Sequence, residues 1–355
     1  MSCGVCLISN DDRETFATRV VAWQKGCGRH DLPWQNTRDP YRVWLSEIML
    51  QQTQVVTVQS YFPRFLARFP DVSSLASANL DEVLALWSGL GYYSRARNLR
   101  QCAIDVETIH GGVFPESVEG LESLPGIGRS TAAAIASLCF SHRVAILDGN
   151  VKRVLTRVLG FGEDLARASN ERLLWDEATS LLPKSDLYNA MPRYTQGLMD
   201  LGATVCSTKN PRCEACPLAA LCVAKETGEP EKYPVKTRKI KRSAQSIWLL
   251  VARREDGSVL LKKRPTPGVW AGLYCLPLYD GCADLDAAVS LDLKGYLTAL
   301  PAFTHVLTHK DLYLHPILLA VPSGSAEFAQ GHWVSAKEWP LLGLPAPIRK
   351  LLMTV

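Results

Sequence analysis

The sequence predicts two domains, an all-α N-terminal half followed by a smaller α+β domain. Three observations carry that prediction. The chain has 355 residues, room for two domains at roughly 100–200 residues each. From residue 10 to residue 225 apolar positions recur at three-to-four spacing between turn signals, as helices require. After a basic stretch, Lys232 to Arg242, the pattern changes to short apolar runs separated by turns.

The helical half has clear punctuation. Asp39-Pro40 starts a helix, with an N-cap carboxylate before a proline at the first helical position. Gly89-Leu90-Gly91, Gly111-Gly112 and Gly126-Ile127-Gly128 each break two helices. In the second half Ile247 to Ala252, a turn at Glu255-Asp256-Gly257-Ser258 and Val259-Leu260-Leu261 read as a hairpin. His305 to Leu307 and Leu312 to Val321 read as further strands, and Asp284 to Leu300 and Pro347 to Met353 as helices. The expected boundaries are residues 1–230 for the helical domain, 231–243 for a basic linker and 244–355 for the α+β domain.

Composition narrows the function classes. Hydrophobic residues make up 47% and charged residues 21%, which fits a packed rather than a disordered chain. The longest apolar stretch, Thr131 to Phe140, is far short of the roughly 18 residues of a membrane span. The N-terminus lacks the basic start and apolar run of a signal peptide. Membrane and secreted classes are therefore set aside, and a cytoplasmic location is expected. The net charge of +4 is unevenly placed. Residues 1–230 hold 23 bases and 25 acids, and residues 231–355 hold 16 and 10. Lys232 to Arg242 alone carries six bases and no acid, either a nucleic-acid contact or a solvated linker.

Eleven cysteines in a chain without an export signal argue against a disulfide framework. Cys206, Cys213, Cys216 and Cys222 fall within seventeen residues, spaced Cys-x6-Cys-x2-Cys-x5-Cys. Four thiolates so close call for a metal centre. Zinc is one alternative, although zinc modules usually bring two Cys-x2-Cys pairs and only one is present. The spacing resembles the [4Fe–4S] loop of the endonuclease III superfamily of DNA glycosylases. That resemblance implies one [4Fe–4S] cluster holding a basic loop, with Lys209, Arg212 and Lys225, against DNA phosphates.

Leu124-Pro125-Gly126-Ile127-Gly128 leads into the alanine-rich helix that begins Arg129-Ser130-Thr131. Gly126 and Gly128 permit a tight turn whose N–H groups, with the helix N-terminus, can face an anion. Alone, a Gly-x-Gly is more often a plain turn. With its flanking residues it resembles the helix-hairpin-helix of the same superfamily, over about residues 117–137.

Two carboxylates sit in contexts suited to different protonation. Glu47 has Val43, Trp44, Leu50 and Gln51 as its helical neighbours, none of them cationic. An unpaired carboxyl against Trp and Leu has a raised pKa, which suits a general acid. A solvent-facing helix flank is the alternative. Asp148, in Leu147-Asp148-Gly149-Asn150-Val151, stands where a helix begins. An N-cap carboxylate fed by helix N–H groups is expected to have a lowered pKa and to stay anionic. One neutral acid and one charged acid is the pattern that glycosidic cleavage requires.

Both segments, Leu-Ser-Glu-Ile-Met-Leu-Gln-Gln-Thr-Gln-Val and Leu-Asp-Gly-Asn-Val-Lys-Arg-Val, resemble MutY-type adenine DNA glycosylases. The resemblance runs from about Leu32 to Cys222 and more weakly to the C-terminus. It implies a helix-hairpin-helix glycosylase with a [4Fe–4S] loop plus a MutT-like (Nudix) C-terminal domain, DNA-associated and monomeric. The implied substrate is double-stranded DNA carrying adenine opposite 8-oxoguanine or guanine. The implied chemistry has Glu47 protonate adenine at N7, Asp148 stabilise the sugar cation and Asn150 orient the reacting groups. The glutamine run Gln51-Gln52 and the tyrosine after Gly-Leu-Gly, Tyr92, would meet and wedge the duplex. Ser130 stands where strand-cutting relatives carry lysine, and a serine offers no amine for a Schiff base. A monofunctional enzyme is therefore expected.

Pro267-Gly268-Val269-Trp270-Ala271-Gly272-Leu273-Tyr274 resembles the same family's C-terminal domain. A Nudix hydrolase needs clustered glutamates for metal, and Ala271 to Leu300 contains none. A lesion reader is expected rather than a second enzyme. The family's lesion loop reads Phe-Ser-His; here it is Leu307-Thr308-His309. The hydroxyl and the imidazole are kept and the phenyl is lost.

Overall fold

The computed structural model describes residues 10–237, 241–322 and 331–355. Cys3, Cys6, Arg238 and Lys239 lie outside the described residues. The chain divides into two compact units, residues 1–73 with 101–239 and residues 74–100 with 240–355. No helix among the described residues is long and apolar enough to cross a membrane.

The first unit is helical: α1 (Asn10–Cys27), α2 (Pro40–Leu50), α3 (Val55–Arg68), α7 (Val118–Glu122), α8 (Arg129–Phe140), α9 (Gly149–Val158), α10 (Ala168–Ser180), α11 (Leu187–Thr204) and α12 (Val223–Glu226). The helices α4 (Val72–Ser77) and α6 (Ser94–His110) cross the division between the units. The expected start at Asp39 holds: its Oδ1 accepts from the Tyr41 N–H at 2.9 Å, with Pro40 at the first helical position. The core gathers Phe16 and Val20 of α1, Leu147, Val151 and Leu155 around α9, and Leu198 and Leu201 of α11. Cys206, Cys216 and Cys222 pack against this core.

The second unit contains more of the chain than the expected domain. Residues 74–100, which include α5 (Leu80–Trp87), belong with it and not with the helical half. The contacts explain why. Arg97 Nη1 donates to the Ala271 carbonyl at 2.8 Å, and Ser88 Oγ donates to the Leu344 carbonyl at 2.8 Å. Asp81 forms an ion pair with Lys263 at 2.8 Å. Gly343 lies so near α5 that a Cβ on it would stand 2.6 Å from Leu84 Cβ.

The sheet of this unit contains β1 (Ser243–Arg254), β2 (Val259–Lys263), β3 (Tyr274–Cys275), β4 (Leu278–Tyr279), β5 (Leu297–Ala299), β6 (Phe303–Val306), β7 (Lys310–Val321) and β8 (His332–Val334). Its main path runs β3-β2-β1-β7-β5, with β4 on β1, β6 on β7 and β8 on β2. β1 and β7 are parallel, with Ser243 opposite Lys310 and Arg254 opposite Val321; the other pairs are antiparallel. α14 (Ala346–Leu352) fits the expected C-terminal helix.

The expected helix over 284–300 is broken. α13 (Cys282–Ala288) ends early, Leu291–Tyr296 is a 3-10 turn, and Leu297–Ala299 is β5. Pairing of Leu297 with Leu319 of β7 competes with helix continuation, a tertiary preference that local propensity does not contain.

The basic linker is also shorter than expected. The Leu165 N–H donates to the Val235 carbonyl at 3.1 Å, and the Thr237 N–H donates to Asp164 Oδ1 at 3.2 Å. The chain is therefore tied to the first unit as far as residue 237. Among the described residues, two of the linker bases are engaged within the protein, Lys232 with Glu229 and Arg242 with Asp311.

Candidate active site

Glu47 lies on the third turn of α2, beside fully buried Trp44. Burial pushes its carboxyl up to about 7, with the charge of Asp148 adding to the effect. The sequence expectation of a raised pKa is met, and near neutrality this acid can hold a proton and release it.

Asp148 caps α9, its Oδ1 accepting from the Val151 N–H at 2.7 Å. The expectation of a lowered pKa needs correction. Burial is the largest influence and raises it, against the Val151 and Asn150 N–H groups and the charges of Arg153 and Lys152, which lower it. The helix N-terminus limits a rise that desolvation imposes.

Glu47, Gln51, Gln52, Ser130, Asp148 and Asn150 line one cavity of about 700 Å³. Gln51 Nε2 reaches Thr131 Oγ1 at 3.4 Å. Gln52 is exposed, in a left-handed conformation with φ of +56°.

Three features of the cavity escape sequence reasoning. Arg153 Nη2 donates to Asn150 Oδ1 at 2.9 Å and to the Gly202 carbonyl at 2.6 Å, while its Nε donates to the Cys206 carbonyl at 2.7 Å. The three-residue spacing from Asn150 on one helix is the signal that could have found it. Gly202 lets α11 close on α9, where a Cβ would stand 2.6 Å from Asn150 Cβ. Fully buried Asp200 accepts from Arg29 Nε at 2.7 Å and from Gln196 Nε2 at 3.0 Å, fixing two groups of the cavity wall.

In the hairpin between α7 and α8 the two glycines serve different needs. Gly126 has φ of +79°, which only glycine adopts easily. Gly128 has φ of −94°, and a Cβ on it would meet nothing within 4 Å. Neither its torsion nor the protein's own packing calls for glycine there. Ser130 Oγ accepts from the Leu147 N–H at 3.1 Å, tying the hairpin helix to the segment that presents Asp148.

The four cysteines line one pocket with Val154, Val158 and Arg157. Among the described residues no three His, Cys, Asp or Glu side chains converge to hold a single metal ion. The donor chemistry nevertheless suits a thiolate-bound group. Arg157, 2% exposed, places Nη1 3.3 Å from Cys206 Sγ and holds the Ser207 and Thr208 carbonyls. Cys216 is pushed up to about 11, chiefly by burial and then by the other three cysteines. Of the expected basic contacts, Lys209 is exposed, Arg212 donates to the Thr204 carbonyl at 2.6 Å and Lys225 pairs with Glu214 at 3.3 Å.

Residues 45–178 match the HhH-GPD superfamily base excision DNA repair protein family, and residues 248–354 match the NUDIX domain family. The chain is 38% identical to the adenine DNA glycosylase of Buchnera aphidicola subsp. Acyrthosiphon pisum (strain APS), covering 95% of this chain and 96% of that one. It is 43% identical to the adenine DNA glycosylase of Mus musculus, covering 96% of this chain and 78% of that one. The chain belongs to the adenine DNA glycosylase family. The helical half also resembles the solved structure of a thermostable thymine-DNA glycosylase, with a TM-score of 0.54 and 28% identity over 61% of this chain and 98% of that one.

Membership of the adenine DNA glycosylases directs attention to the remaining predicted residues, all in the second unit. Tyr92 is 42% exposed with φ of +47°. Its hydroxyl is hydrogen-bonded to Thr308 Oγ1. Two residues far apart in sequence, each expected to face DNA, are thus in contact. Thr308 and His309 form the exposed turn between β6 and β7. Tyr93 turns the other way, its hydroxyl donating to the Leu344 carbonyl at 3.2 Å. That settles which of the adjacent tyrosines is outward.

Proposed function

We propose that this chain removes adenine from double-stranded DNA opposite 8-oxoguanine or guanine, as a monomeric, monofunctional hydrolase that leaves an abasic site. The observation that carries the reading is the shared cavity of Glu47 and Asp148, with Glu47 at about 7. Adenine flips out of the duplex into that cavity. Protonated Glu47 donates to adenine N7, and the base leaves neutral as the bond to C1′ breaks. The Asp148 carboxylate stabilises the sugar cation, electrostatically or through a transient bond to C1′. Water adds at C1′, and its proton passes to a cavity carboxylate. Asn150, held by Arg153, orients the reacting groups.

Two contacts support hydrolysis without strand cleavage. Ser130 has no amine, and its Oγ is engaged by the Leu147 N–H. Lys152 Nζ is paired with Glu171, and no lysine is found among the described residues lining the cavity. Gln52 and Tyr92 wedge the duplex. Gly126 and Gly128 present hairpin N–H groups to a phosphate. Thr308 and His309 read the base opposite adenine. Cys206, Cys213, Cys216 and Cys222 hold one [4Fe–4S] cluster, which when bound would cross-link their loop and neutralise its thiolates.

Glu47→Gln tests the mechanism. Mispair binding should survive while single-turnover adenine release falls by about 10²–10⁴-fold or more. Normal excision by that variant, or a borohydride-trapped adduct with the unaltered chain, contradicts the proposal.

A further inference from the structure

We propose that Arg242, the last base of the linker, is a positioning residue that sets the Leu307–His309 turn for reading the base opposite adenine. The inference rests on the reading of Thr308 and His309 as lesion contacts. Three residues separate β6 from β7, and the Leu307 N–H closes the turn on the Lys310 carbonyl at 2.8 Å. Because β1 runs parallel to β7 with Ser243 opposite Lys310, Arg242 arrives beside that turn.

Its guanidinium forks there. Nη1 donates to the Thr308 carbonyl at 2.9 Å and Nη2 pairs with Asp311. The next N–H, of Ser243, donates to the His309 carbonyl at 3.0 Å. Both turn carbonyls are therefore held from the β1 side, leaving the Thr308 and His309 side chains exposed. Thr308 Oγ1 in turn bonds the Tyr92 hydroxyl. The planar fork holds the turn from the β1 side. An ammonium on a flexible stem cannot hold a carbonyl and a carboxylate in one fixed geometry. The pair is partly exposed, with side chains 44% and 31% accessible, and such pairs contribute only about 0–1 kcal/mol to stability. Its consequence is the orientation of the turn. Arg242 is also removed from the bases available to DNA phosphates.

The test uses the full chain with Arg242→Ala, Arg242→Lys, Thr308→Val and His309→Ala. Single-turnover adenine release is measured opposite 8-oxoguanine and opposite guanine, together with undamaged-duplex binding over a salt series and the thermal midpoint. Arg242→Ala should lower the 8-oxoguanine-to-guanine rate ratio by roughly ten-fold, the size of one charge-assisted hydrogen bond. The rate opposite guanine, the salt slope and the midpoint should not change. Arg242→Lys should not restore the ratio. Arg242→Ala combined with Thr308→Val should lower it no further than Thr308→Val alone. If Thr308→Val or His309→Ala lowers the ratio and Arg242→Ala does not, the role of Arg242 is refuted and the reading turn stands. An equal loss opposite both bases, or a reduced salt slope, also refutes it. If neither turn variant changes the ratio, the reading turn itself is wrong and the inference falls with it.

Discussion

Gly202 and Asn150 approach so closely that a methyl group on Gly202 would lie 2.6 Å from Asn150 Cβ. Backbone atoms of Asn150 lie 3.1 Å from the same point, so no side-chain rotation relieves the clash. Gly202→Ala must push α9 away from α11 at the turn where Asp148 caps it. Overpacking of this kind costs about 1–3 kcal/mol, and a misplacement near 1 Å costs about 10²-fold in rate. Thermal unfolding and single-turnover excision together should show both losses.

Glu47 makes the reaction pH-dependent in a defined direction. The reactive form is protonated, and its carboxyl sits at about 7. Single-turnover excision should therefore fall about ten-fold per pH unit above that value. The same shift acts on stability. The folded chain keeps the proton up to about 7, whereas the unfolded chain releases it near 4.5. This contribution to stability is complete below the unfolded value and is lost as pH rises through the folded one. At pH 8 Glu47→Gln should be more stable than the unaltered chain, by up to about 3 kcal/mol. Denaturant unfolding at pH 5 and pH 8 checks the sign.

Arg157 joins helix α9 to the cysteine loop through Cys206 Sγ and two carbonyls. Arg157→Leu removes the buried cation and leaves the Ser207 and Thr208 carbonyls without their donor, a loss of about 1–3 kcal/mol for an unsatisfied buried polar group. Iron and sulfide per chain should fall, and the thermal midpoint with them. Full iron content in a stable Arg157→Leu protein would separate the arginine from the metal centre.

The hairpin glycines should separate folding from binding. Gly126→Ala meets a left-handed backbone and should cost about 1 kcal/mol or more. Gly128→Ala meets neither strain nor neighbours. Its thermal midpoint should stay put while DNA affinity drops alike for damaged and undamaged duplexes, as expected of a phosphate contact.

Legibility in the sequence followed the range of the interaction. Asp39-Pro40, the break at Gly126-Ile127-Gly128 and the environment of Glu47 are local, and the structure bears them out. The cysteine spacing identifies a cluster of thiols, but its link to Asn150 through Arg153 depends on α9 meeting the loop after α11. Asp200 engaging Arg29 joins residues 171 apart and leaves no pattern in the chain. The pKa of Asp148 is misread because desolvation belongs to the folded cavity, while the cap belongs to the sequence. The helix expected over 284–300 fails because Leu297–Ala299 finds a partner in β7. Arg242 likewise finds its acid, Asp311, only in the folded chain, 69 residues away.

The central claim is tested most directly by single-turnover release of adenine from three duplexes, with 8-oxoguanine, guanine or thymine opposite. The account predicts fastest release opposite 8-oxoguanine, slower release opposite guanine and negligible release opposite thymine, with unbroken strands until alkali is added. Equal release from all three duplexes, or none from any, would contradict it.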